Sequence, residues 1–73
     1  MSTELLLTPG KLYRVNTSVG VLINGRYIPV DSVFMLLSIK PYYKSVNVIY
    51  ILYKGKNIMG VVGTDFGKLV EKI

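Results

Sequence analysis

Two apolar runs decide how this chain folds: SVFMLLSI at residues 32–39 and SVNVIYILY at residues 45–53. Neither run carries a charge, and both are rich in β-branched or aromatic residues, which favour strands. Successive side chains of a strand point to opposite sides, so a strand with one wet side should alternate apolar and polar residues. These runs do not alternate cleanly, which predicts two long strands covered on both sides.

The apolar positions of the two runs fall on two faces. The first face carries Val33, Met35, Leu37, Ile39, Val46, Val48, Tyr50 and Leu52, and the second carries Phe34, Leu36, Ile49, Ile51 and Tyr53. A domain this small buries only ~60% of the surface that its unfolded chain exposes, so it can cover one face by itself. We therefore expect a homo-oligomer or a protein partner, with the second face as the interface.

Composition narrows the ways in which so small a domain can be stabilised. The chain has no Cys and no His, which removes disulfides and zinc sites, and we expect no metal or cofactor. Oligomerisation is the remaining device that small domains commonly use. Nine Lys and Arg against four Asp and Glu give a net charge of +5. This basic balance favours anionic partners at low salt, and it also serves solubility.

The N-terminal segment lacks the features of a targeting sequence. Glu4 precedes a run of only three leucines at 5–7, which is too short for a signal peptide, and no run is long enough to span a bilayer. We expect a single domain over residues 1–73, with 1–9 as a flexible or edge segment, no membrane insertion and a cytoplasmic location. Richness in Ile, Lys, Asn and Tyr is typical of AT-rich genomes such as those of many bacteriophages. If a bacteriophage encodes this protein, we expect it in the cytoplasm of the host.

Turn signals divide the chain into short strands. Asn24-Gly25 predicts a tight hairpin, because both residues tolerate the positive φ that a type I′ turn requires. Gly60 predicts a bulge or a close approach of another segment. Residues 63–67 predict a single 3₁₀ or short helical turn, followed by a last strand over 68–73. An amphipathic helix from Thr64 onward is the alternative for this C-terminal segment.

This order of elements resembles the SH3-like small β-barrel: a first strand, a hairpin excursion, two long strands, a tight hairpin, one helical turn and a closing strand. The resemblance implies an all-β barrel of five or six strands. There is no Trp and no ALYDY-type segment, so proline-rich peptides are not expected as ligands. Residues 21–26 and 53–58 are also similar to the two motifs of Sm-like proteins, which form rings, although the Asp-x-x-Met-Asn sequence of that family is absent.

The residue types needed for catalysis are scarce. Nucleophilic catalysis commonly needs a Ser, Thr or Cys beside a base such as His, and this chain has no His. The four carboxylates, Glu4, Asp31, Asp65 and Glu71, are far apart in the sequence, and each suits a turn, a cap or an exposed position. No glycine-rich phosphate-binding motif occurs. We expect a protein that is not an enzyme.

The best candidate for a ligand site is the segment 40–44, KPYYK, which we interpret as a loop. Two aromatic rings beside two lysines can stack on nucleobases and attract phosphates; the alternative is that one ring packs over the barrel end while the lysines are merely solvated. In an up-and-down barrel this loop shares an end with the Arg26 turn and the 65–68 turn, whereas Lys54 and Lys56 lie at the other end. The predicted ligand-binding residues are Arg26, Lys40, Tyr42, Tyr43, Lys44, Phe66 and Lys68.

Two functions follow from these features. The first is an oligomeric binding module for an anionic ligand, either nucleic acid or a nucleotide. The second is a protein–protein interaction module, such as an inhibitor, an adaptor or a structural subunit, that docks a partner through its second apolar face. Their salt dependence distinguishes them, because binding through phosphates weakens steeply as salt increases.

Overall fold

The computed structural model describes residues 6–73, which form seven β-strands and one 3₁₀ turn. The strands are β1 (Leu12–Val15), β2 (Val21–Ile23), β3 (Arg26–Ile28), β4 (Val33–Tyr43), β5 (Val46–Tyr53), β6 (Lys56–Gly63) and β7 (Val70–Lys72). The 3₁₀ turn spans Thr64–Lys68. The predicted all-β class and the single turn near the C-terminus are confirmed. The alternative of a C-terminal helix is wrong, because the chain pairs again with β1 at Val70.

Five strands form an antiparallel sheet in the order β6-β5-β4-β1-β7, and the two remaining strands, β2 and β3, pair only with each other. The sheet is open, with β6 at one edge and β7 at the other. The predicted closed SH3-like barrel is therefore not confirmed, and the strands number seven rather than five or six. The β2–β3 hairpin does not extend the sheet towards closure; it packs across one face of it.

The core lies between the sheet and this hairpin. Side chains from β4 and β5 meet Ile23 and Ile28 of the hairpin and Phe66 of the 3₁₀ turn in one buried cluster. Phe34 stands at its centre, with its ring centroid 6.1 Å from that of Tyr13 and 6.4 Å from that of Phe66. Full burial of such side chains contributes about 1.5–3 kcal/mol each. The hairpin and the 3₁₀ turn thus serve as the second layer that a sheet needs.

This arrangement corrects the predicted interface. The five residues assigned to it, Phe34, Leu36, Ile49, Ile51 and Tyr53, are core residues, none more than 9% exposed. The physical reason is that the hairpin and the 3₁₀ turn cover this face within one copy of the chain. The face that we expected to be internal is the one that no element covers within residues 6–73.

A β-bulge in β4 accounts for a second difference. Leu36 pairs with Ile51 but Ser38 pairs with Tyr50, so Leu37 is an additional residue on the β4 side. The bulge reverses the alternation beyond it, and Ile39 therefore packs against the core instead of sharing a face with Leu37.

The predicted turn and the predicted close approach are both found. Asn24 and Gly25 have φ values of 53° and 77°, and Ile23 pairs with Arg26 across them, as in a two-residue hairpin. The hairpin lies so close to β6 that a Cβ atom on Gly60 would overlap the Cγ2 methyl of Ile23. Gly60 itself stands in a strand with continuous register, so it marks a close approach and not a bulge.

The segment before β1 is described from Leu6 onward, so the predicted flexible or edge segment 1–9 lies partly outside the described residues. Leu7 packs against the core. The backbone N–H of Thr8 donates to the Tyr13 hydroxyl at 2.7 Å, and that of Gly10 donates to the Leu36 carbonyl at 2.7 Å. The described part of this segment is therefore bound to the sheet.

Candidate functional site

The side of the sheet that no element covers within residues 6–73, which we call the outer face, is mostly apolar, with Ser38, Lys40 and Asn57 as polar residues opposite Tyr50, Val48 and Leu52. Its apolar side chains come from four adjacent strands: Leu12 of β1, Val33, Met35 and Leu37 of β4, Val48, Tyr50 and Leu52 of β5, and Met59 and Val61 of β6. Seven of these nine are more than a third exposed, and Met35 and Val48 are partly buried. An antiparallel sheet with one side in water normally presents polar residues there.

Strand register makes this surface continuous. Met35 pairs with Leu12 on one side and with Leu52 on the other, while Tyr50 pairs with Met59 across the β5–β6 ladder. Directly opposed side chains in antiparallel strands have Cβ atoms about 4.5–5.5 Å apart, close enough to touch. The nine side chains therefore form one contiguous patch, and exposed apolar patches larger than roughly 300–600 Å² are unusual on monomeric proteins.

Charged groups stand at the border of the outer face. Arg14 of β1 pairs in register with Val33 on one side and Glu71 of β7 on the other, and its Nε donates to Glu71 Oε2 at 3.0 Å. The hydrogen bond from Arg14 lowers the pKa of Glu71, helped by Asn16 and by the charge of Arg14. Lys40 lies opposite Val48 towards the other end of the face. An apolar centre with a polar rim is the usual anatomy of a protein interface.

The structure brings four of the predicted ligand residues together at the end of the β4–β5 hairpin. Lys40, Tyr42, Tyr43 and Lys44 are all exposed, the two tyrosines at 68% and 63%. Lys44 Nζ lies 5.3 Å from the centroid of the Tyr43 ring. Neither ring packs over the core. We expected a loop over 40–44, but residues 40–43 are the end of β4, which passes through Pro41 with a second irregularity in register. Lys44 begins the turn to β5.

The other predicted ligand residues are dispersed. Phe66 is 4% exposed and belongs to the core, so its assignment to a ligand site is wrong; the 3₁₀ turn uses it to anchor on the sheet. Lys68 is exposed on that turn, and the turn begins near the β4–β5 hairpin end because Gly63 pairs with Val46. Arg26 lies beside the first half of β6, where it lines a groove of about 480 Å³ with Asn57 and Met59. It therefore belongs with the Lys56 end of β6 and not with Tyr42 and Tyr43.

A second groove was missed by the sequence reasoning. It has a volume of about 380 Å³ and lies between the hairpin and the 3₁₀ turn, with Val19, Leu22, Tyr27 and Leu69 among its lining residues. Leu22 and Tyr27 pair across the hairpin and both are exposed. The signal was available, because Val21 and Ile23 alternate with Leu22, so both sides of β2 are apolar.

No group of three or more potential metal ligands occurs among residues 6–73. Within the same range no helix is long and apolar enough to cross a membrane. No protein-family model, curated protein or solved structure matches this chain. The outer face is therefore interpreted from its own chemistry.

Proposed function

We propose that this chain is a non-enzymatic assembly subunit whose outer face packs against the outer face of a second copy. The observation that supports this proposal is the continuous apolar surface across β1, β4, β5 and β6. Stable interfaces bury at least about 1,200 Å² in total, or roughly 600 Å² on each copy, and the contiguous outer face is the surface available for this. The same surface on both copies is what a two-fold dimer requires.

The chemistry of the face suits contact between two sheets. Tyr50 and Leu52 at its centre along β5 are paired with no charged residue, so docking desolvates no ion there; Lys40, opposite Val48, stands towards the end of the face. The Arg14–Glu71 pair is already formed within one copy, at the border where both groups keep contact with water. Sheets that pack face to face lie about 10 Å apart with their side chains interdigitated, as the core side of this same sheet already does with the hairpin.

Sedimentation equilibrium over a range of protein concentrations tests this proposal. We expect the wild type to be a dimer or larger. Tyr50→Lys, which places a charge at the centre of the outer face, should form smaller assemblies than the wild type and keep a β-rich circular dichroism spectrum. Tyr42→Lys is the matched control, since it makes the same chemical change at the exposed hairpin end, and it should associate like the wild type. A wild type that is monomeric at every accessible concentration would overturn the proposal.

A second candidate function is the binding of a single-stranded nucleic acid or a nucleotide at the β4–β5 hairpin end. The observation that favours it is the cluster of Tyr42, Tyr43, Lys40 and Lys44, all open to solvent. Stacking on an aromatic side chain contributes ~1–3 kcal/mol per base. Titration with an oligonucleotide and with nucleotides at low salt tests this candidate, which fails if none of them binds.

Variants of two lysine pairs, one at each end of β5, test where such binding takes place. Lys40→Gln with Lys44→Gln should reduce the salt dependence, because each phosphate that a lysine neutralises on a single strand accounts for a slope of ~0.7. Lys54→Gln with Lys56→Gln removes the same charge at the opposite end of β5 and should have a smaller effect. Equal losses of affinity from both pairs would indicate diffuse attraction to a basic protein.

We also keep the relationship to SH3-like small barrels as a proposal. It is supported by the order of elements along the chain, with a hairpin excursion before the two long strands and a 3₁₀ turn before the last strand. The open sheet is the feature that differs. A cytoplasmic location and a bacteriophage origin remain proposals that rest on composition.

A further inference from the structure

The edge strand β6 lacks the usual protection against pairing with another strand. It is eight residues long, its register with β5 is continuous, and it contains no Pro and a single charge, on Lys56 at its beginning. Natural edge strands are commonly short, charged, bulged or interrupted by Pro. The opposite edge, β7, follows that rule with only three residues, of which Glu71 and Lys72 are charged.

Register shows which backbone groups of β6 are free. The turn at Lys54-Gly55 has positive φ at both positions and makes Tyr53 and Lys56 the first pair of the hairpin, which is a hydrogen-bonded pair in a two-residue turn. Hydrogen-bonded and non-hydrogen-bonded pairs then alternate along an antiparallel ladder. Four residues of β6 therefore direct both N–H and C=O away from β5: Asn57, Met59, Val61 and Gly63. No hydrogen bond from them to backbone outside the β5–β6 ladder is found within residues 6–73.

We propose that a second copy of this chain adds its own β6 to this edge, antiparallel and with the two-fold axis at Gly60. In this register Asn57 faces the partner's Gly63, and Met59 faces the partner's Val61. All four outward-directed residues of each strand are then paired, and each pair can exchange two hydrogen bonds. A register shifted by two residues leaves at least one of these four residues without a partner. A register shifted by one residue places free N–H and C=O groups opposite residues whose own N–H and C=O groups already bond to β5.

The space beside β6 can accommodate the β6 strand of a second copy. The groove of about 480 Å³ between β6 and the β2–β3 turn is lined by Asn57, Ile58 and Met59 on one side and by Asn24–Arg26 on the other. The proposed register lays the partner's Val61, Val62 and Gly63 along it. These are small side chains, so the added strand is slender where the hairpin turn limits the space.

Charge at the ends of the paired strands is complementary. With the axis at Gly60, Lys56 comes to the beginning of the partner's 3₁₀ turn, which follows β6 and carries Asp65. Both Lys56 and Asp65 are exposed, and the two-fold axis brings these opposite charges towards each other at both ends of the paired strands. The same register sets Met59 beside the partner's Val61 on the outer face, which makes the two outer faces continuous. A copy paired at β6 extends the sheet and does not cover the outer face, so face packing uses a further copy. The inference thus deepens the proposed assembly function and rests on it, because copies of this chain are the occupants in both contacts.

Amide hydrogen exchange, resolved by residue and measured at increasing protein concentration, tests the edge pairing. The amides of Ile58, Gly60 and Val62 bond to β5 and should be protected at all concentrations. We expect those of Asn57, Met59 and Val61 to exchange freely in dilute samples and to slow by about tenfold or more as copies pair. An assembly in which these three amides still exchange freely would overturn the edge pairing but leave the outer-face proposal standing. A protein that stays monomeric would overturn both.

Comparing two variants of Val61, which lies both on the β6 edge and on the outer face, tests the edge pairing separately from the face packing. Val61→Pro removes an outward N–H that β5 does not use, and edge strands tolerate Pro at such positions, so the monomer should fold while concentration-dependent protection at Asn57 and Met59 is lost. Val61→Thr keeps the N–H and the shape, and should retain that protection. If Val61→Pro retains it too, the edge pairing is wrong.

The charged ends give an independent check. Lys56→Asp or Asp65→Lys alone should weaken the association by roughly two- to fivefold, whereas the double variant should restore it. Failure of the double variant to recover any association would contradict the proposed register. Retained protection of the β6 amides in Tyr50→Lys would show that edge pairing persists when face packing is removed.

Discussion

Both faces of the β4–β5 ladder are largely apolar in sequence, yet residues 6–73 cover only one of them. On the inner face, Leu36 and Ile51 are opposed across the ladder and fully buried under the hairpin and the 3₁₀ turn. On the outer face, the neighbouring Leu52 remains 37% exposed. The difference is not one of residue type. It arises because the β2–β3 hairpin and the 3₁₀ turn pack on the same side of the sheet.

Shortening the side chains of two adjacent β5 residues, one on each face, should give the largest difference in the free energy of unfolding. Ile51→Ala leaves a cavity in the core and should reduce the free energy of unfolding by about 2–4 kcal/mol. Leu52→Ala should reduce it by less than about 1 kcal/mol when the protein is monomeric. Urea titrations at low protein concentration measure both values. Equal losses would mean that the outer face is as well covered as the inner one.

The approach of the hairpin to β6 should show the next largest effect. Gly60→Ala forces the added methyl against Ile23 and should cost about 1–3 kcal/mol. Gly25→Ala, at the exposed turn of the same hairpin, meets no atom within 4 Å and should cost only the strain of positive φ, about 1–2 kcal/mol. Thermal or urea unfolding compares the two variants. If Gly60→Ala is as stable as the wild type, the hairpin does not pack here as described.

The ion pair at the border of the outer face should have the smallest effect, and it should depend on pH. The pKa of Glu71 is held below its ordinary value of 4.5 by Arg14 and Asn16, so the folded state binds this proton less readily than the unfolded state. The pair therefore stabilises the fold above that ordinary value, and its contribution disappears as the pH falls through the lowered pKa.

Unfolding of Glu71→Gln should accordingly be compared with the wild type as a function of pH. The wild type should be slightly more stable at neutral pH, and the difference should vanish under acidic conditions below the lowered pKa. At protein concentrations low enough to keep the chain monomeric, Asp65→Asn controls for net charge, because it removes a carboxylate that forms no ion pair among residues 6–73. A difference that persists unchanged in acid would show that Glu71 acts through something other than its charge.

Local features of this fold were predictable from the sequence. The Asn24-Gly25 turn and the 3₁₀ turn before the last strand both rest on backbone preferences of a few neighbouring residues. The existence of two apolar faces was likewise evident from strand alternation. Short-range preferences act within a few residues, and these features need no more than that.

Long-range features were not predictable in the same way. Alternation cannot tell which of two apolar faces is internal, since that depends on where the β2–β3 hairpin packs. The bulge at Leu37 has no glycine or proline to mark it, and it transferred Ile39 to the core side. Phe66 was assigned to a ligand site for its aromatic ring, but the position of the 3₁₀ turn over the sheet buries it.

The central claim, that the outer face is a contact surface between copies, is tested most directly by nuclear Overhauser effects between molecules. A sample mixing carbon-13-labelled and unlabelled protein, recorded with isotope filtering, reports only contacts between copies. A face-to-face assembly gives intermolecular effects between the Tyr50 ring and the methyl groups of Val48 and Leu52. An assembled sample in which these outer-face groups show no intermolecular effect would contradict it.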